Sequence, residues 1–132
     1  DSAGVPQAVT ADTLVVPYND LDAVQECFSR SNNIAGIIVE PIAGNMGFVL
    51  PKQGFLSGLE TLCKQHNALL IFDEVFDGSL DINGTEEFMK LIYMMAEDTN
   101  IFVITHKTDQ MVDKFRHTIR FAKVKNFSQQ VN

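Results

Sequence analysis

The chain has 132 residues, 45% of them hydrophobic and 20% charged, with a formal net charge of −7. Those are ordinary values for one globular domain with a real core. The acidic balance argues against a nucleic-acid surface spread over the chain, because phosphate contacts need clustered Lys and Arg.

Thr13 to Val16 is a short run rich in β-branched residues, ending at Pro17, and reads as a first strand. Asn19 or Asp20 can cap a helix whose apolar face is Leu21, Val24, Cys27 and Phe28. Ser31-Asn32-Asn33 breaks it, and Ala35 to Val39 is a second, buried strand ending at Glu40-Pro41. Pro41 to Pro51 is a loop. A helix follows with Phe55, Leu56, Leu59, Leu62 and Cys63 on one face, then a third strand, Ala68 to Phe72. After the loop Asp77-Gly78-Ser79, a helix carries Phe88, Leu91, Ile92 and Met95. Ile101 to Ile104 is the fourth strand, Asp109 to Phe115 a short helix, and Thr118 to Val124 the fifth strand.

Continuous apolar strands alternating with helices predict an α/β fold. The expected form is one three-layer domain over 1–132, with a five-stranded, mostly parallel sheet of Rossmann- or flavodoxin-like type and Ala68–Phe72 at its centre. Ligand sites in such sheets lie beyond the strand C-termini, where Glu40, Asp73, Glu74 and His106 fall. With right-handed crossovers, strands in plain sequence order would put every helix on one face and leave apolar residues bare on the other. Moving the first strand to the other side of the second, in flavodoxin-like order, avoids that; so does a homodimer. The rearranged order is the preferred expectation.

Cys27 and Cys63 sit in helical patterns and read as buried free thiols. The tail from Arg116 to Lys125 holds the only basic cluster, and reads as a solvated edge strand. No signal peptide or membrane-length apolar run is present, so the expected location is cytoplasmic. A start at Asp1 without Met suggests a fragment or a trimmed chain.

Two resemblances meet at Leu69-Leu70-Ile71-Phe72-Asp73-Glu74-Val75. Upstream, the stretches Gly4-Val5-Pro6, Pro17-Tyr18-Asn19-Asp20-Leu21, Ile38 to Gly47 and Ala68 to Val75 closely resemble the glutamate-1-semialdehyde 2,1-aminomutase family of type I pyridoxal-phosphate enzymes. This resemblance implies that Asp73 faces the cofactor's ring nitrogen and that Asn45 lies near its ring substituents. A carboxylate there keeps the ring protonated, so that it acts as an electron sink. The family continues with Met-Thr-Gly-Phe-Arg and a later Schiff-base lysine, and its phosphate cup comes from the segment upstream of Asp1. Here Val75 is followed by Phe76-Asp77-Gly78-Ser79, with no lysine in a matching context.

Downstream, Phe72 to Asp81, Asn100 to Lys107, Asp113-Lys114-Phe115 and Ile119 to Ser128 resemble the C-terminal part of the ATPase subunit of T-even-type phage recombination endonucleases, related to the SMC and ABC proteins. By this resemblance Asp73 holds magnesium through water, Glu74 polarises the attacking water, Ser79-Leu80-Asp81 is a D-loop and His106 senses the γ-phosphate. No G-x-x-x-x-G-K-[ST] loop occurs in the chain, and the family's signature segment is replaced by aminomutase-like sequence. The resulting expectation is a chimera, with an aminomutase-like segment over 1–75 and an ATPase-like segment over 76–132. Asn45, Asp73, Glu74 and His106 are then vestigial site residues. No catalysis and no bound pyridoxal phosphate, ATP or magnesium are expected, and neither is strong nucleic-acid binding.

Overall fold

The computed structural model describes residues 4–44, 46–73, 82–96, 99–106, 112–125 and 127–131. The elements are α1 (Gln7–Thr10), α2 (Leu21–Arg30), β1 (Gly36–Val39), α3 (Phe55–His66), β2 (Leu69–Phe72), α4 (Ile82–Met95), β3 (Ile101–Val103), a single 3-10 turn (Val112–Lys114), β4 (Arg120–Val124) and β5 (Phe127–Val131).

Local chemistry sets the helix ends. Asp20 caps α2, its Oδ1 accepting from the Ala23 N–H at 3.0 Å. Asn67 closes α3 in the left-handed region at φ 53°, where asparagine is tolerated, and the Ala68 N–H returns to the Cys63 carbonyl at 2.9 Å. Glycine is needed where two elements crowd. A Cβ at Gly36 would stand 2.9 Å from the Leu69 carbonyl oxygen, and one at Gly58 would overlap the Leu21 side chain where α2 crosses α3.

β1, β2 and β3 form a parallel sheet in sequence order, with β2 in the centre. The register pairs Ile37 with Leu70 and Leu70 with Ile101. The α/β class, the parallel sheet and the central place of the Ala68–Phe72 segment are as expected. Leu70 and Phe72 are fully buried in one cluster with Val24 and Phe28 of α2, Leu56 and Leu59 of α3, and Met89 and Ile92 of α4. Phe72 also meets the Phe88 ring at 6.2 Å. The three helices therefore pack on a single face. The alternate residues turn the other way, leaving Ile38 61% and Phe102 53% exposed.

Several expectations differ. Thr13–Val16 forms no strand, and Leu14 and Val15 are exposed. β-Branched composition fits a residue for a pleated surface, but a strand exists only where a neighbour completes its ladder. The flavodoxin-like rearrangement falls with it, as does a third layer among the described residues. The expected fifth strand exists as β4, but it pairs antiparallel with β5 in a separate hairpin. Val124 pairs with Phe127 across Lys125-Asn126, and Lys125 adopts φ 48°, the backbone sign that tight hairpin turns demand. The strand Phe127–Val131 was not anticipated, because Lys-Asn is a weak turn signal. Of the helix expected over Asp109–Phe115, the 3-10 turn is described, tied to α4 by the Tyr93 hydroxyl donating to the Lys114 carbonyl at 2.5 Å. Residues 107–111 and the loop Asp77-Gly78-Ser79 lie outside the described residues.

Cys63 is fully buried on α3, and Cys27 is half-buried. His66 stacks on Phe28 at 4.6 Å, joining α3 to α2. Among the described residues, no helix is long and apolar enough to cross a membrane.

Burial pushes the Cys63 thiol up to about 11 from an ordinary 9.0, against a smaller opposing backbone hydrogen bond at Ile37. Its folded value exceeds its unfolded one, so the unfolded chain loses this proton first. Stability should accordingly fall as pH rises from about 9 to about 11 in urea titrations, and Cys63→Ala should remove that part of the slope. At neutral pH and low protein concentration, Phe72→Ala should cost about 3–5 kcal/mol, because it opens a cavity under the central strand. Phe102→Ala, on the bare face, should cost about 0.5 kcal/mol or less.

Candidate functional site

Parallel strands deliver their C-terminal residues to one end of the sheet, and three ionisable side chains arrive there. Asp73 follows β2; its N–H extends the ladder to the Val39 carbonyl at 3.0 Å, and its side chain is half-buried. Glu40 follows β1 and is also half-buried, with its Oε2 accepting from the Gly44 N–H at 3.0 Å. His106 lies just beyond β3 and is exposed. Asp73 and His106 thus reach the same end of the sheet, as the strand alternation required. Asn45 and Glu74, the other two expected site residues, lie outside the described residues.

The loop after β1 is held by a clamp that sequence reasoning saw only as a helix cap and a matching stretch. The Tyr18 hydroxyl donates to the Pro41 carbonyl at 3.0 Å, and its ring meets Phe55 edge-on at 5.2 Å. Asn19, at φ 67°, donates through Nδ2 to the Leu50 carbonyl at 3.0 Å and accepts the Lys52 N–H at 2.7 Å. Asp20 then caps α2. Two consecutive side chains, Tyr18 and Asn19, therefore tie the start of α2 to both ends of the loop. Inside it, Ala43 and Val49 exchange two backbone hydrogen bonds. The available signal was Asn ahead of a capping Asp, since asparagine enters the left-handed region more readily than most residues. Tyr18 stays protonated above the usual phenol range, through burial first and the negative charge of Glu40 second.

A pyridoxal-phosphate site needs a carboxylate for the ring nitrogen, a lysine for the aldehyde and donors for the phosphate. Asp73, at the sheet's C-terminal end, is a side chain of the first kind. Of the described lysines, Lys64 is in the last turn of α3, at the other end of the sheet, and Lys90 is on the exposed side of α4. Lys114, Lys123 and Lys125 belong to the tail, and Lys52 sits against Asn19. Residues 74–89, the stretch that follows β2, contain no lysine. The described residues therefore fit one contact of the cofactor and do not fit the whole. Among the described residues there is also no group of three His, Cys, Asp or Glu able to hold a metal ion.

The Aminotransferase class-III family matches residues 2–80. Glutamate-1-semialdehyde 2,1-aminomutase of Desulfovibrio desulfuricans is 66% identical over 76 residues, covering 57% of this chain and 18% of that protein. Glutamate-1-semialdehyde 2,1-aminomutase 2 of Lachnoclostridium phytofermentans is 52% identical over 98 residues, covering 73% of this chain and 23% of that protein. A solved structure described as a transaminase with PLP bound is 30% identical with a TM-score of 0.51, covering 57% of this chain and 18% of that one. The chain spans about a fifth of the length of the curated relatives it matches. With more than half of its residues inside the family's match, the chain belongs to the class-III aminotransferases.

Proposed function

We propose that the chain is a recombined α/β domain without catalysis of its own. In this reading, an aminomutase-derived segment ends near Val75 and a segment similar to a repair ATPase continues it. The observation that carries it is the composition of the sheet's C-terminal end. There Asp73 follows β2, and residues 74–89, the stretch after it, contain no lysine. The family model's match ends at residue 80, while the similarity to the Lachnoclostridium phytofermentans relative runs on past it, over 98 residues. The downstream stretches Phe72–Asp81 and Asn100–Lys107 are read from the sequence alone as similar to the ATPase. The join is also physically continuous. β3 adds to β2 in parallel, and the Ile104 N–H donates to the Phe72 carbonyl at 2.8 Å, so residues from both sides share one ladder. Both parent folds use an apolar strand ending in an acidic residue, which makes β2 a place where the two chains can exchange without breaking a core.

A second reading is residual binding without turnover, of pyridoxal phosphate or of a magnesium–nucleotide. It rests on Asp73 and His106 arriving together beyond neighbouring parallel strands.

Both are tested on the purified 132-residue chain. After incubation with pyridoxal phosphate and desalting, no cofactor absorbance should remain. Absorbance that survives desalting and is lost on replacing one lysine would sink the first reading and establish the second. ATP should be hydrolysed no faster by the chain than by Glu74→Gln. A rate lost on that substitution would show a working ATPase half-site.

A further inference from the structure

The clamp on the loop 41–51 is chemically different at its two ends. At one end Asn19 holds Leu50 and Lys52 with an amide, which neither gains nor loses a proton in water. At the other, the Tyr18 hydroxyl holds the Pro41 carbonyl at 3.0 Å through a proton that it can lose. A phenol donates this bond; a phenolate cannot.

The surroundings decide what ionisation would do. The Tyr18 ring is set edge-on against Phe55 of α3 at 5.2 Å, which fixes where its oxygen lies. Burial first, and the negative charge of Glu40 at the end of β1 second, oppose a charge on that oxygen. Asp20 and Asp22 of α2 line the same cleft, with Lys52 of the loop as the cation among its lining residues. The first turn of α3 brings no acidic residue. A phenolate would therefore face the Glu40 carboxylate and the Pro41 carbonyl oxygen, and the hydrogen bond would be gone.

The loop is bonded to itself. Ala43 and Val49 exchange two backbone hydrogen bonds, and the Gly47 N–H reaches the Gly44 carbonyl at 3.2 Å. Its described residues join neither a helix nor the three-stranded sheet. Segments of this kind open locally at a smaller free energy than the whole domain.

We propose that Tyr18 is a proton-controlled latch on the loop 41–51. Its neutral hydroxyl keeps the loop closed on α2 and α3, and transfer of its proton to hydroxide frees the loop while the sheet and helices stay folded. Because the loop is one bonded piece, its ends are coupled: losing the Asn19 contacts loosens the Tyr18 end as well. The closed loop holds the proton more tightly than the open one, so closure is favoured below the ordinary phenol value of 10.0 and is lost as pH rises through the raised value. The latch stands independently of the proposed absence of catalysis.

The test reads Tyr18 by tyrosinate absorbance, as the difference between the full chain and Tyr18→Phe; the chain has two tyrosines and no tryptophan. Tyr18 should titrate above 10.0, and the same difference in an Asn19→Gly background should fall back toward 10.0. Glycine keeps the left-handed backbone there and removes the amide. Circular dichroism of Cys63→Ala, which lacks the thiol that titrates in the same range, should stay constant through the transition. At neutral pH, Tyr18→Phe should raise the initial rate of tryptic cleavage after Lys52 about fivefold, the shift that one ordinary hydrogen bond supports. Cleavage after Lys64, within α3, should not change.

An ordinary value for Tyr18 would overturn the latch. So would a raised value that Asn19→Gly leaves in place, or cleavage after Lys52 that is indifferent to Tyr18→Phe. Dichroism lost together with the Tyr18 proton would overturn it too, since the event would then be unfolding of the domain and not release of the loop.

Discussion

The hydrogen-bond ladder on both edges of β2 is the constraint from which the rest follows. Its four residues pair in parallel with β1 on one side, Leu70 to Phe72 pair with β3 on the other, and the ladder runs past the strand at Asp73 and Ile104. A central parallel strand cannot be solvated on its backbone, so its side chains must be apolar on the face that helices cover. Leu70 and Phe72 meet that demand by being fully buried, and α3 and α4 are amphipathic because they cover them. The position of Asp73 is a consequence as well. It is the first residue past the apolar run, held by its own N–H on the Val39 carbonyl. The site is thus placed by backbone bonding, ahead of any ligand.

The same logic shows how the loop between β1 and α3 keeps its shape over a stretch with little secondary structure of its own. Tyr18, Asn19 and Asp20 come from the far side of α2, yet they satisfy carbonyls at Pro41 and Leu50, the Lys52 N–H and the first turn of α2. Polar groups near a core must find partners, and a loop that passes over the sheet end has few of its own. A short polar motif 23 to 33 residues away in sequence supplies them. The stretch Tyr18-Asn19-Asp20 thus has a structural role in this chain, holding the loop and the start of α2 by hydrogen bonds.

How much was legible from sequence divides along physical lines. Helices α2, α3 and α4 were readable because each carries an apolar face at helical spacing, and strands β1, β2 and β3 because each is a short continuous apolar run; both are local properties. So was the arrival of Asp73 and His106 at one end of the sheet, since parallel strands leave no other choice. Thr13–Val16 was misread because a strand is a relation between two segments, and composition describes only one. The hairpin partner Phe127–Val131 was missed for the opposite reason: its Ser128-Gln129-Gln130 interior has no apolar alternation to announce it. The Tyr18–Asn19 clamp depends on contacts across more than 20 residues, which no local pattern encodes. Asn45 and Glu74 belong to the candidate site through resemblance alone.

The fold of a segment and a cofactor site draw on different residues. β1, α3 and β2 need apolar strands, an amphipathic helix, a glycine at Gly36 and the clamp at Asn19, and all of these lie within one stretch of chain. Those requirements are met within the segment, so the segment carries them wherever it goes. A cofactor site is assembled differently. Its ring carboxylate, its lysine and its phosphate donors come from separate stretches of chain, brought together only when the whole sheet is present. Asp73 is the one contribution to such a site that β2 makes by itself. The strand that positions Asp73 is complete in itself, so this carboxylate follows from β2 and does not by itself imply the rest of a cofactor site.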